Sequence, residues 1–245
     1  LTIAEMAGET LAYGFLCGRD YDTRKMVPNR AGYDLLKLRK RCVPIAQKPI
    51  IEHRNTIGLP RALHLFDDYE FWKHFFSHIG VKTIGSDSVK HPTKLGKTIS
   101  TAEFCAPLTA LHGHVKYLQE KADYLFLPFY FEDKINKNDR RRQYCYYSQF
   151  APSVLSCIRG VKKEKIISPT IKYLYTSFHT KLELYKVMKK ISSRISFMAI
   201  SSAWDSAVEF KENIRKARKE KYLQLTQGRD KLNVVLLGRP YTVLS

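Results

Sequence analysis

From residue 55 onward, strand-like apolar runs alternate with stretches of helical periodicity, and that alternation limits the fold more than any single motif in the chain. "NTIGLP" reads as a short strand. After Pro60-Arg61, the side chains of Leu65, Tyr69, Trp72, Phe76 and Ile79 recur every three to four residues as far as Gly80, the spacing of one amphipathic helix. "VKTIGS" predicts the next strand, and Cys105 to Lys121 a helix with Leu108, Leu111, Val115 and Leu118 on one face. "DYLFLPF" is apolar without interruption, as expected of a buried parallel strand. A helix from Ala151, a strand in "EKIISPT", helices over Thr180–Ile191 and Ser196–Gln227, and a last strand in "KLNVVLLGRP" continue the rhythm. The expectation is an α/β domain over 55–245, a doubly wound, mostly parallel sheet of Rossmann/flavodoxin-like lobes with 231–237 as an interior strand. If two lobes are present, they divide near 150–230.

The first 54 residues have a different texture. Two β-prone runs around Ala7-Gly8-Glu9 predict a hairpin within 1–20, and 21–54 form a basic connector punctuated by Pro28, Gly32, Pro44 and Pro49. The chain begins with Leu and stops just after a strand-like run, so it reads as a piece of something longer. No run of about 18 apolar residues is present and no basic leader precedes an apolar stretch, so neither a membrane span nor a signal peptide is read. The cytoplasm is the expected location, and the five cysteines, odd in number and without framework spacing, are expected to be reduced there.

The formal charge of +19 favours anionic partners, but it is spread thinly. Its densest stretch, "KENIRKARKEKY", interleaves both signs at helical spacing and reads as a solvated helix face, so nucleic acid is not expected.

In open α/β sheets, ligands gather at the carboxyl ends of the strands, where strand order reverses. That rule selects the loops at Pro60-Arg61, at Pro128-Phe129 through the basic 132–144 stretch to Cys145, at Ser168-Pro169 and at Gly238-Arg239-Pro240-Tyr241. Arg61 and Arg239 stand one step past a strand, where a guanidinium binds either a phosphate or carboxylate or a structural carboxylate. With His112 and Tyr241 they are the cofactor-binding candidates. Neither glycine-rich nucleotide fingerprint is present, nor a nucleophile elbow or paired-cysteine zinc knuckle. In "HGH", His112 and His114 point to different helix faces, which suits hydrogen bonding better than a joint metal site. Pro107 fits the first turn of a helix and so puts Cys105 at its N-terminus, where free N–H groups favour a thiolate.

Taken together, "IGLPRALHLFDDYEFWKHFFSHIGV", "FCAPLTALHGHV", "YLFLPFYFED" and "VVLLGRPY", with the opening "GETLAYGFLCGRD", resemble the domain that accompanies ATPase modules in large acyl-CoA dehydratase activase-like proteins. These are relatives of 2-hydroxyglutaryl-CoA dehydratase and its activator. The resemblance implies cysteine-ligated [4Fe–4S] chemistry coupled to ATP-driven, low-potential electron transfer, with an ATPase activase module or dehydratase subunits as partners and an acyl-CoA as ultimate substrate. It makes Cys105 and Cys145 the metal ligands, their Cα atoms about 6–10 Å apart around a compact cluster. Directly after the proline of "DYLFLP", where the family carries a further cysteine, this chain has Phe129, so another ligand must come from beyond Ser245 or from a partner. Cys17 matches a cysteine whose companions precede residue 1. It is expected to hold no metal here and to be alkylated quickly.

Two functions follow: an iron–sulfur-associated redox or scaffold domain of such a system, not a self-contained catalyst, or a non-redox interaction module that has lost its cluster and binds acyl-CoA or an acidic partner.

Overall fold

The computed structural model describes residues 2–13, 53–132, 143–158, 160–173, 176–227 and 238. The expected strand 231–237, Cys17, Cys42, Arg140, Arg141, Arg142, Arg239 and Tyr241 lie outside the described residues. The chain divides into two compact units, Leu1–Leu35 and Leu36–Ser245.

In the first unit, β1 (Thr2–Met6) and β2 (Glu9–Tyr13) pair antiparallel, Thr2 opposite Tyr13 and Met6 opposite Glu9. Ala7 and Gly8 make the turn with φ of 52° and 83°. Two positive φ values in a two-residue loop match the right-handed twist of the strands, and Gly8 adopts its value without strain.

The second unit holds a four-stranded parallel sheet in the order β4-β3-β5-β7, formed by β3 (Thr56–Leu59), β4 (Lys82–Gly85), β5 (Tyr124–Phe126) and β7 (Ile166–Ile167). Beyond β5 and β7, the short strands β6 (Phe129–Tyr130) and β8 (Thr170–Ile171) pair in parallel. Pro128 and Pro169 cause the interruption, because proline has no N–H for the ladder. "EKIISPT" therefore yields two strands rather than one. The N–H groups of Leu127 and Phe129 bridge the gap, donating to the carbonyls of Ile167 and Pro169 at 2.9 Å each.

Between β3 and β4 lie α1 (His64–Asp67) and α2 (Tyr69–His78); between β4 and β5 lie α3 (Pro92–Lys97) and α4 (Ala106–Leu118). After β6 come α5 (Tyr146–Gln149) and α6 (Ala151–Ser156), and after β8 come α7 (Ser177–Met188) and α8 (Phe197–Thr226). Because β4 and β5 flank β3 on opposite sides, right-handed crossovers place α2 and α4 on opposite faces of the sheet. Strand alternation agrees. Phe126 packs against Trp72 and Phe76, with ring centroids at 4.5 and 5.0 Å, while Gly58 and Leu125 face Leu118 and Ala122.

The single helix expected over 65–79 is broken at Asp68, whose backbone (φ −88°, ψ 7°) turns its carboxylate inward. The end of α2 is as read. Gly80, at φ 75°, closes it, with the Val81 N–H donating to the Phe76 carbonyl at 2.9 Å and the Gly80 N–H to Ser77 at 3.0 Å. α8 packs on α2 through Trp204, which meets Phe71 at 5.3 Å, and through two histidine–serine hydrogen bonds, His74 to Ser206 at 2.9 Å and His78 to Ser202 at 3.2 Å.

α3 and α4 meet glycine to backbone. A methyl group on Gly96 would lie 1.8 Å from the Thr109 carbonyl oxygen, and one on Gly113 1.9 Å from that of Pro92. Gly113→Ala should therefore lower stability by about 1–3 kcal/mol, the usual cost of forcing extra atoms into a packed contact. A lower urea midpoint at unchanged slope is the expected measurement; an unchanged midpoint would show that the helices separate freely.

Candidate functional site

The connections from β3 and β5 leave the sheet in opposite directions, and between them at the carboxyl edge lies a crevice, as expected where strand order reverses. It is small, with a cavity volume of about 20 Å³, and opens to solvent. Its walls are the Ala62–Leu65 loop, Leu111 of α4, Leu127-Pro128 with Tyr130, and Ser148, Ala151 and Pro152 of α5 and α6. Leu63 holds φ 47° and ψ −135°, a backbone region that glycine occupies freely and a branched side chain does not. Such a conformation costs on the order of 1–3 kcal/mol and persists where surrounding packing enforces it. The next residue, His64, packs at a tilt of 35° against Tyr144 with ring centroids 3.6 Å apart and lies 5.7 Å from the ring of Tyr130.

Behind this wall runs a hydrogen-bond chain that is buried at Tyr130 and Asp68 and reaches solvent at Lys211. The Trp72 indole N–H donates to the Tyr130 hydroxyl at 2.6 Å, Tyr130 donates to Asp68 Oδ2 at 3.0 Å, and Lys211 of α8 donates to Asp68 Oδ1 at 2.5 Å. Burial, with the Asp68 carboxylate beside it, pushes the Tyr130 phenol well above its ordinary pKa, so it stays a neutral donor.

Cys105 caps α4 with extended backbone (φ −59°, ψ 150°) and Pro107 in the first turn; Cys145 precedes α5 in the same conformation (φ −62°, ψ 151°). Both are exposed. Their neighbours touch: the rings of Phe104 and Tyr147 meet edge to face at 5.6 Å. The two cysteines therefore share one edge, next to the crevice, and Cys145 Sγ is hydrogen-bonded at 3.2 Å to Ser148 Oγ in its wall. A [4Fe–4S] cluster requires four ligands. Two thiols meet half of that requirement, and among the described residues no three His, Cys, Asp or Glu side chains converge on a metal position. Phe129 stacks on Phe131 at 6.3 Å.

Arg61 is held by other partners. Its guanidinium pairs with Asp87 and lies over the rings of Phe66 and Tyr69 at 5.2 and 5.4 Å, while its backbone N–H donates to Ser86 Oγ at 2.8 Å. Burial acts to raise the Asp87 carboxyl, but the Tyr69 hydroxyl, donating at 2.8 Å, and the Arg61 charge hold it below its ordinary value. His112 is fully buried. Its Nδ1 donates to the Leu108 carbonyl at 2.7 Å and its ring stacks on Phe104 at 5.2 Å, so it backs the loop that carries Cys105 rather than lining the crevice. His114, on the other side of Gly113, is hydrogen-bonded through Nδ1 to Ser86 Oγ at 2.8 Å. Leu63, His64, Tyr130 and Ser148 are not among the residues singled out by sequence. They carry no motif, and only the βα order of the chain signals that their loops converge.

Residues 56–245 match the family described as the CoA enzyme activase uncharacterised domain. Neither the curated proteins nor the solved structures compared contain a match to the chain.

Burial lowers the pKa of His114 to about 4, and it also lowers those of His74 and His112. The unfolded chain then binds more protons than the folded one once pH drops below the ordinary histidine value, so stability is full above about 6.5 and is lost as pH falls toward 4. For His114 alone the loss is about 3 kcal/mol. Denaturation midpoints measured across that range should fall with acid, and His114→Gln should flatten the slope; an equal slope in the variant would place the titration elsewhere.

Proposed function

Because the chain belongs to the family of the CoA enzyme activase uncharacterised domain, we propose that it is an iron–sulfur-associated redox or scaffold domain of such a system, with Cys105 and Cys145 as ligands on one side of a [4Fe–4S] cluster. The observation that carries this reading is the meeting of the two cysteine loops at the Phe104–Tyr147 contact. Two thiolates on rigid helix starts present a fixed half-site, and the remaining ligands belong to a further polypeptide segment. Bound there, a cluster would supply low-potential electron transfer. This chain's own residues hold and shield it. Tyr146, Tyr147 and Phe150 are 79%, 49% and 44% exposed beside Cys145, an apolar face that a partner would cover and dry. An ATPase activase module or the dehydratase subunits are the partners this reading names, and an acyl-CoA the substrate of the assembled system. Among the described residues, no helix is long and apolar enough to cross a membrane.

The second reading, a non-redox interaction module, is favoured by Phe129 and by the lack of a third convergent ligand among the described residues. Its ligand would be acyl-CoA or an acidic protein.

Anaerobic reconstitution with ferrous iron and sulfide, alone and with the partner subunits, separates the two. The expected result is bound iron and sulfide with a visible absorption bleached by dithionite, lost in Cys105→Ser and in Cys145→Ser. Wild-type protein without iron in both settings would overturn the redox reading. CoA binding that weakens with salt would then support the interaction module.

A further inference from the structure

We infer that the apolar face formed by α7 and the start of α8 docks an acidic, apolar segment of a partner protein. The inference goes beyond the cluster reading and does not rest on it, since it concerns other helices and none of the residues around the thiols.

Helical spacing supplies the first ground. Thr180, Leu184 and Met188 of α7, four apart, are buried in the core. Phe178, Leu182, Tyr185 and Lys189 form a second stripe along the same helix, at the i, i+4, i+7 and i+11 positions that share one face. The start of α8 covers part of it: the Phe197 ring meets Phe178 edge to face at 5.8 Å and Tyr185 edge to face at 5.9 Å. Phe178 nevertheless remains 54% exposed, and Met198, next to Phe197, 74%. A lone exposed apolar side chain is ordinary, whereas adjoining aromatic and methionine side chains are what protein interfaces are enriched in.

Charge identifies the occupant. From Thr176 to Trp204 the chain carries Lys181, Lys186, Lys189, Lys190 and Arg194 against a single carboxylate, Glu183. Lys181 is paired with Asp205 at 2.7 Å and Lys186 with Glu183 at 2.9 Å. Lys189, Lys190 and Arg194 have no carboxylate partner among the described residues. Lys189 Nζ lies 5.1 Å over the Tyr185 ring and donates to the Ser193 carbonyl at 2.9 Å, which places its charge at the end of the apolar stripe. The turn that carries the other two is fixed to the sheet, because Asn55 and the Tyr124 hydroxyl donate to the carbonyls of Ile191 and Lys190 at 2.7 and 3.1 Å. An acidic segment gains counter-charge there, and a basic one is repelled. Three such cations fall short of the clusters of about four to eight that hold a lipid surface. A second copy of this chain, at +19, would bring like charge against like.

The test uses the full chain, labelled in its methionine methyl groups and titrated with a fluorescent helical peptide of Leu, Phe and Glu, or with its counterpart carrying Lys in place of Glu. The acidic peptide should shift the Met198 methyl saturably and leave that of Met188, which is fully buried, nearly in place. By fluorescence anisotropy its affinity should fall about tenfold in Phe178→Ser, in Met198→Lys and in the double reversal K189E/R194E, and should fall with salt. The Lys peptide should bind about tenfold more weakly than the acidic one. Absence of a saturable Met198 shift, equal binding of the two peptides, or full affinity in both Phe178→Ser and Met198→Lys would overturn the inference. Tighter binding to phosphatidylglycerol vesicles than to the acidic peptide would assign the face to a lipid surface, and a dimer in sedimentation that Phe178→Ser dissolves would assign it to a second copy; either overturns it equally. None of these outcomes bears on the iron assay, so the two readings fail separately.

Discussion

The Tyr130 hydroxyl, accepting from Trp72 and donating to Asp68, is the contact around which the second unit is arranged. Burying a phenol and a carboxylate together is tolerable only when both are satisfied, and a partner removed from such a set leaves a desolvated polar group behind. Three elements converge to satisfy them: α2 brings the indole, α8 brings Lys211, and the α1–α2 junction brings Asp68. The same requirement explains why the helix read over 65–79 breaks. Asp68 reaches Tyr130 from a non-helical turn, and that turn separates the His64 wall of the crevice from the Trp72 face of the core.

The "HGH" sequence shows how a motif that suggests metal chemistry can serve packing. Its glycine admits the Pro92 carbonyl at a distance no side chain would permit. The flanking histidines are buried on either side of that contact, one bound to its own helix and the other to Ser86. Divergence of the two rings is what helical geometry dictates for positions two apart, so the spacing alone makes it legible. The reason for the glycine is not legible in that way. It depends on α3, a helix of six residues whose "PTKLGK" has too little periodicity to be read.

Legibility follows the strength of each physical signal. β5 is plain because its run is apolar on both faces, and α7 and α8 because their patterns extend over several turns. Pro107 places Cys105 at a helix start, and the structure has it there. The short pieces are the ones that escape. α5 is a single turn of aromatic and polar residues, and "EKIISPT" hides a proline break that only the neighbouring Pro128 makes intelligible. The crevice is legible as a place, from the βα order, but not as a chemistry, because its walls come from separate apolar residues that no spacing unites.

The basic loops suggest an anion site, whereas the described carboxyl edge divides charge from cavity. Arg61 is neutralised by Asp87 and fixed over aromatic rings, and among the described residues the crevice beside it has no charged lining. Exposed cations lie elsewhere, for example at Arg215, Lys216, Lys219 and Lys221 along the distal half of α8. Dispersed charge of this kind speeds encounter with an anionic partner and weakens with salt, but it does little to select one. Selectivity requires desolvated, shaped contacts, and among the described residues those are concentrated where the aromatic face, the two cysteines and the crevice adjoin. On the proposed reading, the charge of +19 draws an acidic partner toward the domain, and the small apolar edge around Cys105 and Cys145 determines whether it stays.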